Sequence, residues 1–472
     1  MPEIDLGRRL ELVNSQLPKR ILMINPQSEV QPEQASRYPL GLFSLATFIA
    51  EKFQHPLDVS ILDLQIQPSD FNIAQTIEET NPDIVMTTAI TPYEPYAQKI
   101  GRIVRQVKPN ALSFIGGYHA TVKPGEVIQP GNFDIGAIGE GEETVLEFLN
   151  ALAAHAFDHP EKLLDIPGLF FRGENGQTAY SRLRIPKLPL SQYPWASKGL
   201  EFLVGQTVSY QVFGDTKKFT SKPGTLITSR GCVHNCANCG SKQMFQVVRN
   251  RPPKDVVGEV RYLFDNQQTK NFYFADDTLN QDPERLKEIS RLLIQEGLPI
   301  EWVGMARVDT LDAQLYNLAV KSGAVEFAFG VESADPRVLA ALEQDKNNLA
   351  NVVTAREMVK DAGAEAKFYL MVGNPQETQS SSQMTAEFLQ ATKPEKIRVS
   401  RSMPYPGAPF INDIEVVPPY DKNYEYWWAF PPPSDPFGPL LNLTRTPLMS
   451  PEQIEESRQL LIQTHLGYGG KV

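Results

Sequence analysis

From Arg20 onward, short apolar runs alternate with stretches of helical period. RILMIN (Arg20–Asn25) ends in a polar residue and Pro26, the pattern of a buried strand bounded by a turn. PLGLFSLATFIAEKF follows, its apolar residues recurring at helical spacing from residue 42 to 53. The alternation continues through LDVSILDL (strand), NIAQTIEETN (helix), DIVMTTAI (strand) and PYAQKIGRIVRQVK (helix). ALSFIGGYH is a strand running into a double glycine. FDIGAIGEGEE is a short strand with a Gly-rich turn that opens the helix ETVLEFLNALAAH. Five strands alternating with helices predict right-handed crossovers and a doubly wound parallel sheet over residues 1–156.

Residues 157–222 are less regular. GLFFRGENGQTAYSR predicts a hairpin around Glu174-Asn175-Gly176, and PKLPLSQYPW is a Pro-rich connector, so this stretch reads as a linker with a small β element. A second alternation then places strands at TLITS, NFYFADD, IEWVGMARVD, VEFAFGVES, AKFYLMVG and KIRVSRSMPYPG, with helices such as PERLKEISRLLIQEG and NVVTAREMVKDAG between them. Gly297, Gly323 and Gly363 sit where a helix end takes a left-handed residue. Six such units predict a partial (β/α)6 TIM-like barrel over residues 223–410, whose chemistry belongs at the C-terminal strand ends. Residues 411–472 predict a small C-terminal helical cap, with Ser450 as N-cap, Pro451 in the first turn and Gln453 at N3. Trp427 and Trp428, among prolines, are either a substrate lid or packing that seals the barrel's open side.

Composition narrows the function. The 472 residues are 41% hydrophobic and 21% charged, which suits two to four globular domains. A net charge of −11 argues against nucleic-acid or anionic-membrane binding by bulk charge. No run approaches the roughly 20 apolar residues of a membrane span, and the polar N-terminus lacks a secretory apolar core, so a soluble cytoplasmic protein is expected. All three cysteines, Cys232, Cys236 and Cys239, lie within one short loop, which is no disulfide framework. Their C-x-x-x-C-x-x-C spacing lets three thiolates hold three irons of a [4Fe-4S] cluster and leaves the fourth iron open. Zinc on the same thiolates plus His234 is the rival reading. GEGEE lacks the G-K-[ST] of a phosphate loop, G-x-S-x-G is absent, and six scattered histidines support no hydrolytic triad.

SRGCVHNCANCG, followed by FADDTLNQDPERL, ARVD, FGVESADPRVLAAL, AREMVKDAG, FYLMVGNPQET and MPYPGAPF, resembles the radical S-adenosylmethionine (SAM) superfamily over residues 225–410. The resemblance implies a cluster on Cys232, Cys236 and Cys239 whose open iron binds the amino and carboxylate groups of SAM. One-electron cleavage of the sulfonium then yields a 5′-deoxyadenosyl radical. Asn238 stands where the family usually has an aromatic against the adenine. Glu332 and Ser333 are candidates for the ribose hydroxyls or amino group of SAM, the alternative for Glu332 being an ion pair with Arg307. Arg307 is a candidate clamp for the SAM carboxylate or a purely stabilising residue. Asp276, beside Asp277, resembles the family position near the methionyl amino group, one of the two being alternatively a loop N-cap.

PLGLFSLATFI, GGYHATVKP and IGEGEET resemble the cobalamin-binding domain fused ahead of many radical SAM barrels, over residues 21–152. The resemblance and the rule that doubly wound sheets bind at strand C-termini nominate Asn25, Thr88, Gly116, Gly117, His119, Gly139, Glu140 and Gly141 for cobalamin. The glycines either let backbone approach the corrin or its nucleotide tail, or serve turns alone. D-x-H-x-x-G, the familiar source of a lower cobalt ligand, is absent, and His119 is either a substitute or a packing residue. The expected function is a cobalamin-dependent radical SAM enzyme that methylates an unactivated carbon of a small-molecule or natural-product substrate, fed by a reducing donor such as flavodoxin or ferredoxin. Tyr369, Tyr405 and the two tryptophans hint at a hydrophobic or planar substrate. Alternatives are an anaerobic oxidative cyclase with the same cofactors, a front domain that has lost cobalamin, and a non-catalytic iron–sulfur electron carrier or sensor.

Overall fold

The computed structural model describes residues 6–27, 38–68, 70–157, 159–173, 176–205, 224–342, 348–419, 421, 424 and 443–471. The expected turn residues Glu174 and Asn175, residues 206–222 of the expected 157–222 linker, Trp427 and Trp428 lie outside them. The chain divides into two compact units, Met1–Thr216 with Gln243–Val247, and Lys217–Lys242 with Val248–Val472.

The first unit begins with a helix the apolar pattern did not announce, α1 (Leu6–Gln16). It buries Leu10 and Val13, and its Arg9 pairs with buried Asp134 at 2.9 Å. Then follow β1 (Arg20–Asn25), α2 (Leu40–Lys52), β2 (Asp58–Asp63), α3 (Ile73–Thr80), β3 (Ile84–Thr88), α4 (Glu94–Val107), β4 (Leu112–Gly116), α5 (Tyr118–Val122), α6 (Pro124–Val127), β5 (Ile135–Ala137) and α7 (Glu142–Ala153). The expected hairpin forms as β6 (Leu169–Arg172) and β7 (Thr178–Tyr180) and extends the sheet to the order β2-β1-β3-β4-β5-β6-β7. The first five strands are parallel and the last two antiparallel.

RILMIN is apolar without a break because β1 is covered on both faces. Leu22 and Ile24 pack with Ile77, Ile100 and Val104 of α3 and α4, and Ile21 and Met23 with Phe43, Ile49 and Phe148 of α2 and α7. At the hairpin, a Cβ on Gly136 would lie 2.1 Å from the Phe170 ring, so only glycine lets β5 and β6 pair there.

In the second unit, β8 (Gly224–Leu226) leads into the cysteine loop. A two-residue ribbon, β9 (Ser229–Arg230) with β10 (Arg249–Asn250), flanks α8 (Ser241–Met244) in sequence. After these come α9 (Pro253–Gln267), β11 (Asn271–Phe274), α10 (Pro283–Glu296), β12 (Glu301–Ala306), α11 (Ala313–Lys321), β13 (Ala324–Glu332), α12 (Pro336–Ala341), α13 (Leu349–Ala362), β14 (Glu365–Val372), α14 (Gln379–Thr392) and β15 (Lys396–Arg401). The six long-sheet strands run in the order β15-β14-β13-β12-β11-β8, all parallel. This is the expected partial barrel. Its outer layer is aromatic: Trp302 stacks on Phe274 at 4.9 Å and meets Phe327 edge-on. Alternate residues of β12 and β14 (Val303, Met305, Tyr369, Met371) are only half-buried, as an inner face requires.

A ribbon of β16 (Glu415–Val416) and β17 (Thr444–Arg445) precedes α15 (Pro451–Gly467), which starts with the expected Ser450–Gln453 capping box. This helix lies on α14 and β15, and Ile454 fills the space beside Gly373. Among the described residues no helix is long and apolar enough to cross a membrane.

Candidate active site

The β8 ladder ends at Leu226, so Thr228 and Ser229 leave the sheet and the cysteine loop starts from a clamped root. Asp276 accepts from the Thr228 backbone N–H at 2.6 Å, from Thr228 Oγ1 at 2.5 Å and from Ser229 Oγ at 2.6 Å. Arg285 donates to Thr228 Oγ1 and to the Thr228 carbonyl, while Arg251 donates to the Ile227 carbonyl and pairs with buried Glu259. At the loop's middle, the Ala237 N–H reaches the Leu342 carbonyl and the Ala237 carbonyl receives the Phe410 N–H.

The three thiols are free and at least partly exposed. Cys232 Sγ lies 3.3 Å from Thr278 Oγ1, Cys236 Sγ 3.8 Å from Arg307 Nη1, and Cys239 Sγ 3.5 Å from the Ser241 N–H. Burial pushes the Cys236 thiol up and Arg307 pulls it back, so iron must replace a proton there when it binds. Among the described residues no three Cys, His, Asp or Glu side chains converge as one metal ion needs, His234 included.

The SAM candidates stand at the C-terminal ends of β11 (Asp276), β12 (Arg307) and β13 (Glu332, Ser333), with Asn238 on the cysteine loop. Arg307 is held by Asp309 at 3.0 Å, and buried Asn280 fixes its backbone, donating to the Arg307 carbonyl and accepting its N–H, both at 2.8 Å. Glu332 is buried with φ +62, a conformation that non-glycine residues adopt rarely and that re-aims its side chain. Burial pushes its carboxyl to about 7 against the pull of Arg307. Asn238 donates through Nδ2 to Met371 Sδ at 3.4 Å, and its Oδ1 is buried without a partner. Ser333 instead serves the scaffold: its hydroxyl accepts the Asp335 N–H at 3.1 Å and lies 3.4 Å from Thr385 Oγ1. Asp276 is likewise turned into protein. Sequence reasoning missed Asn280, Arg285 and Glu377, which in the turn after β14 accepts from the Asn374 N–H, Asn374 Nδ2 and Ser382 Oγ. Asn280 and Arg285 find their partners only once strands are adjacent, whereas Glu377 bonds within its own turn, which the NPQE string signalled.

In the first unit, the strand order reverses between β1 and β3, the switch point where such sheets bind ligands. Asn25 is buried and donates to Asp63 at 2.7 Å. Thr88 borders Gly117, whose φ is +92. Gly139 donates its N–H to Thr121 Oγ1 at 2.9 Å, and Glu140 is buried beside it. Side chains built on Gly116 or Gly141 would meet nothing within 4 Å, so bare backbone faces open space at this edge. His119 is fully buried, with Nδ1 3.1 Å from Thr91 Oγ1 and Nε2 3.5 Å from Glu126, and burial lowers it to about 4. It ties the loops after β3 and β4 together.

The chain matches the B12 binding domain over residues 35–149 and the radical SAM superfamily over residues 226–389. It is 28% identical to an uncharacterized methyltransferase of Pyrococcus horikoshii over 82% of this chain and 81% of that one. It is 26% identical to the cytidylyl-2-hydroxyethylphosphonate methyltransferase of Streptomyces wedmorensis over 79% and 76%. In fold it matches the radical S-adenosylmethionine methyltransferase TsrM of Kitasatospora setae, solved with tryptophan substrate and a SAM analog. That match has a TM-score of 0.71 at 16% identity, over 94% of this chain and 89% of that one. A cysteine loop at the first strand of a partial barrel, behind a doubly wound sheet, thus defines a radical SAM enzyme. More narrowly, the chain belongs to the cobalamin-dependent radical SAM family, whose cofactors are a [4Fe-4S] cluster, SAM and cobalamin.

The residues present fit those groups. Three thiols on one loop, with no further protein thiol in the chain, match a cluster with one open iron. The unpaired Asn238 Oδ1 suits a donor such as the adenine amine, and the bare backbone at Gly116 and Gly141 suits a flat ring.

Proposed function

We propose that this enzyme transfers a methyl group to carbon of a small-molecule substrate. What carries the reading is that one chain holds both a complete cysteine triad at a barrel mouth and bare glycine backbone after β4 and β5, at the C-terminal edge of a doubly wound sheet. When bound, the cluster, SAM and cobalamin supply one-electron cleavage of the SAM sulfonium and a transferable methyl group.

The protein's part follows from its own residues. Cys232, Cys236 and Cys239 hold the cluster. Arg307, aligned by Asp309 and Asn280, receives the methionyl carboxylate through its guanidinium. Glu332 titrates near neutrality, so its carboxyl can donate to a ribose oxygen when protonated and accept a ribose O–H when ionised. Asn238 Oδ1 accepts the adenine amine. Gly116, Gly117, Gly139 and Gly141 bring backbone to the corrin, with Asn25, Thr88 and Glu140 at the same edge, and His119 fixes the loops rather than ligating cobalt. The reductant is a small electron carrier such as flavodoxin or ferredoxin, and the setting is cytoplasmic.

The test is anaerobic turnover of the reconstituted enzyme with methyl-labelled SAM, reductant and a panel of small-molecule acceptors. Label in a carbon-methylated product, with S-adenosylhomocysteine and 5′-deoxyadenosine formed alongside, is the expected result. 5′-Deoxyadenosine with an oxidised, unlabelled product would replace methyl transfer by oxidative cyclisation. A cluster whose spectrum ignores added SAM would make the chain an electron carrier or sensor.

A further inference from the structure

Asp276 and Asp277 stand side by side after β11, and their carboxylates act on opposite ends of the cysteine loop. Asp276, 2% exposed, takes three hydrogen bonds from Thr228 and Ser229, which lie just before Cys232. A carboxylate offers about four acceptor directions, so three are already committed within the protein. Arg285 binds the same threonine and lies near enough to balance the Asp276 charge. Gln281 adds a fourth hold on this end, donating to Ser229 Oγ at 3.3 Å and to the Gly231 carbonyl at 3.1 Å. Asp277 faces the other way. It accepts from Ser241 Oγ at 2.6 Å, and Ser241 follows Cys239 by two residues, its own N–H resting on the Cys239 sulfur.

We propose that the Asp276-Asp277 pair is a staple that holds the cysteine loop in the spacing the cluster requires, and that Asp276 is a positioning residue rather than the ligand of the SAM amino group that its place suggested. The physical need is clear. Three thiolates on a loop of eight residues must meet one compact group, and every rotation left free in that loop is lost entropy when they do. Pinning both ends to adjacent residues of one rigid strand terminus removes most of that freedom beforehand. The pair divides the work: Asp276 is buried and charge-balanced, fixing the root, while exposed Asp277 closes the exit through a single serine. The proposal rests on the cluster being bound at Cys232, Cys236 and Cys239.

The experiment uses the reconstituted full-length enzyme. Ser241→Ala, Asp277→Ala and the double variant report on the exit, and Asp276→Asn reports on the root. Two readouts are taken: the rate at which the cluster's visible absorbance is lost to an iron chelator, and equilibrium SAM binding per intact cluster. Asp277→Ala is expected to lose its cluster about ten-fold faster than wild type and Ser241→Ala several-fold faster, the double variant being no faster than Asp277→Ala because the two share one bond. SAM affinity per intact cluster stays within about two-fold in each. The exit variants alter an exposed contact, so they read the staple even where Asp276→Asn fails to fold. Wild-type rates of cluster loss in the exit variants would overturn the staple. Weakened SAM binding in Asp276→Asn with an undisturbed cluster would return Asp276 to the SAM site. Wild-type protein that takes up no iron would remove the cluster reading and the staple with it.

Discussion

Gly116 and Gly117 end β4 side by side, yet the backbone asks different things of them. At Gly117, φ is +92 and a Cβ would fall 2.4 Å from Thr88 Oγ1 and under 3 Å from two backbone atoms of Ala89. Those Ala89 atoms are committed: its N–H reaches the Gly116 carbonyl and its carbonyl receives the His119 N–H. Gly117→Ala therefore costs about 1–3 kcal/mol and lowers the midpoint of thermal unfolding even in the apoprotein. Gly116 has nothing near its missing side chain. Gly116→Ala leaves thermal stability within about 0.5 kcal/mol of wild type but lowers cobalt per chain after reconstitution, because its methyl occupies the space a ring would take. Full cobalt uptake by Gly116→Ala would reduce that glycine to a turn residue. At this scale the sequence shows residues whose chemistry is local. The cysteine triad is legible because its spacing lies within one loop. Asn280 and Arg285 are not, since nothing in the chain's order says that they will meet Arg307 and Thr228. Ser333 and Asp276 share that limit: their position was readable, their hydrogen-bond partners were not.

Elements were more legible than contacts, for a physical reason. A parallel strand covered on both faces must be continuously apolar, so RILMIN and DIVMTT stand out, while the barrel strands show as short runs with every second residue apolar. Short or amphipathic pieces do not. The helix α1 is polar on its exposed side, and the β6–β7 hairpin shows only that it forms, not that Gly136 admits it to the first sheet. TLITS shows a similar limit: the ladder stops at Leu226 because Asp276 draws Thr228 and Ser229 aside. The turn joining β14 to α14 carries a pH consequence. Glu377 is buried among three donors, and burial raises its carboxyl from 4.5 to about 7. Because the folded value is above the unfolded one, the stabilisation is complete below about pH 4.5 and is lost as pH rises through 7. The whole effect is on the order of 3 kcal/mol. Glu377→Gln, neutral throughout, flattens the fall of the unfolding midpoint between those limits relative to wild type. An identical pH slope in variant and wild type would show that Glu377 ionises in the fold as it does in the unfolded chain.

At the scale of the whole molecule, the two units have separate cores and separate cofactor chemistry. Apolar contacts around β1 and β3 belong to the first unit, and the Trp302 aromatic layer to the second. The cysteines contribute nothing to either: all three are free, and none is fully buried. The chain has no fourth cysteine from which to build a replacement ligand set. Cluster loss is therefore a local event in the loop after β8, whereas the switch-point edge is built from backbone and from side chains such as Asn25, Asp63 and His119 that depend on no metal. The variant Cys232→Ala/Cys236→Ala/Cys239→Ala is expected to bind no iron, to keep its far-ultraviolet dichroism, and to retain cobalt at the wild-type ratio after reconstitution with cobalamin. Elemental analysis reads both metals in one sample. Cobalt falling together with iron would mean that the first unit's ligand edge forms only when the cluster loop is loaded, and the independence of the two cofactor sites would have to be given up.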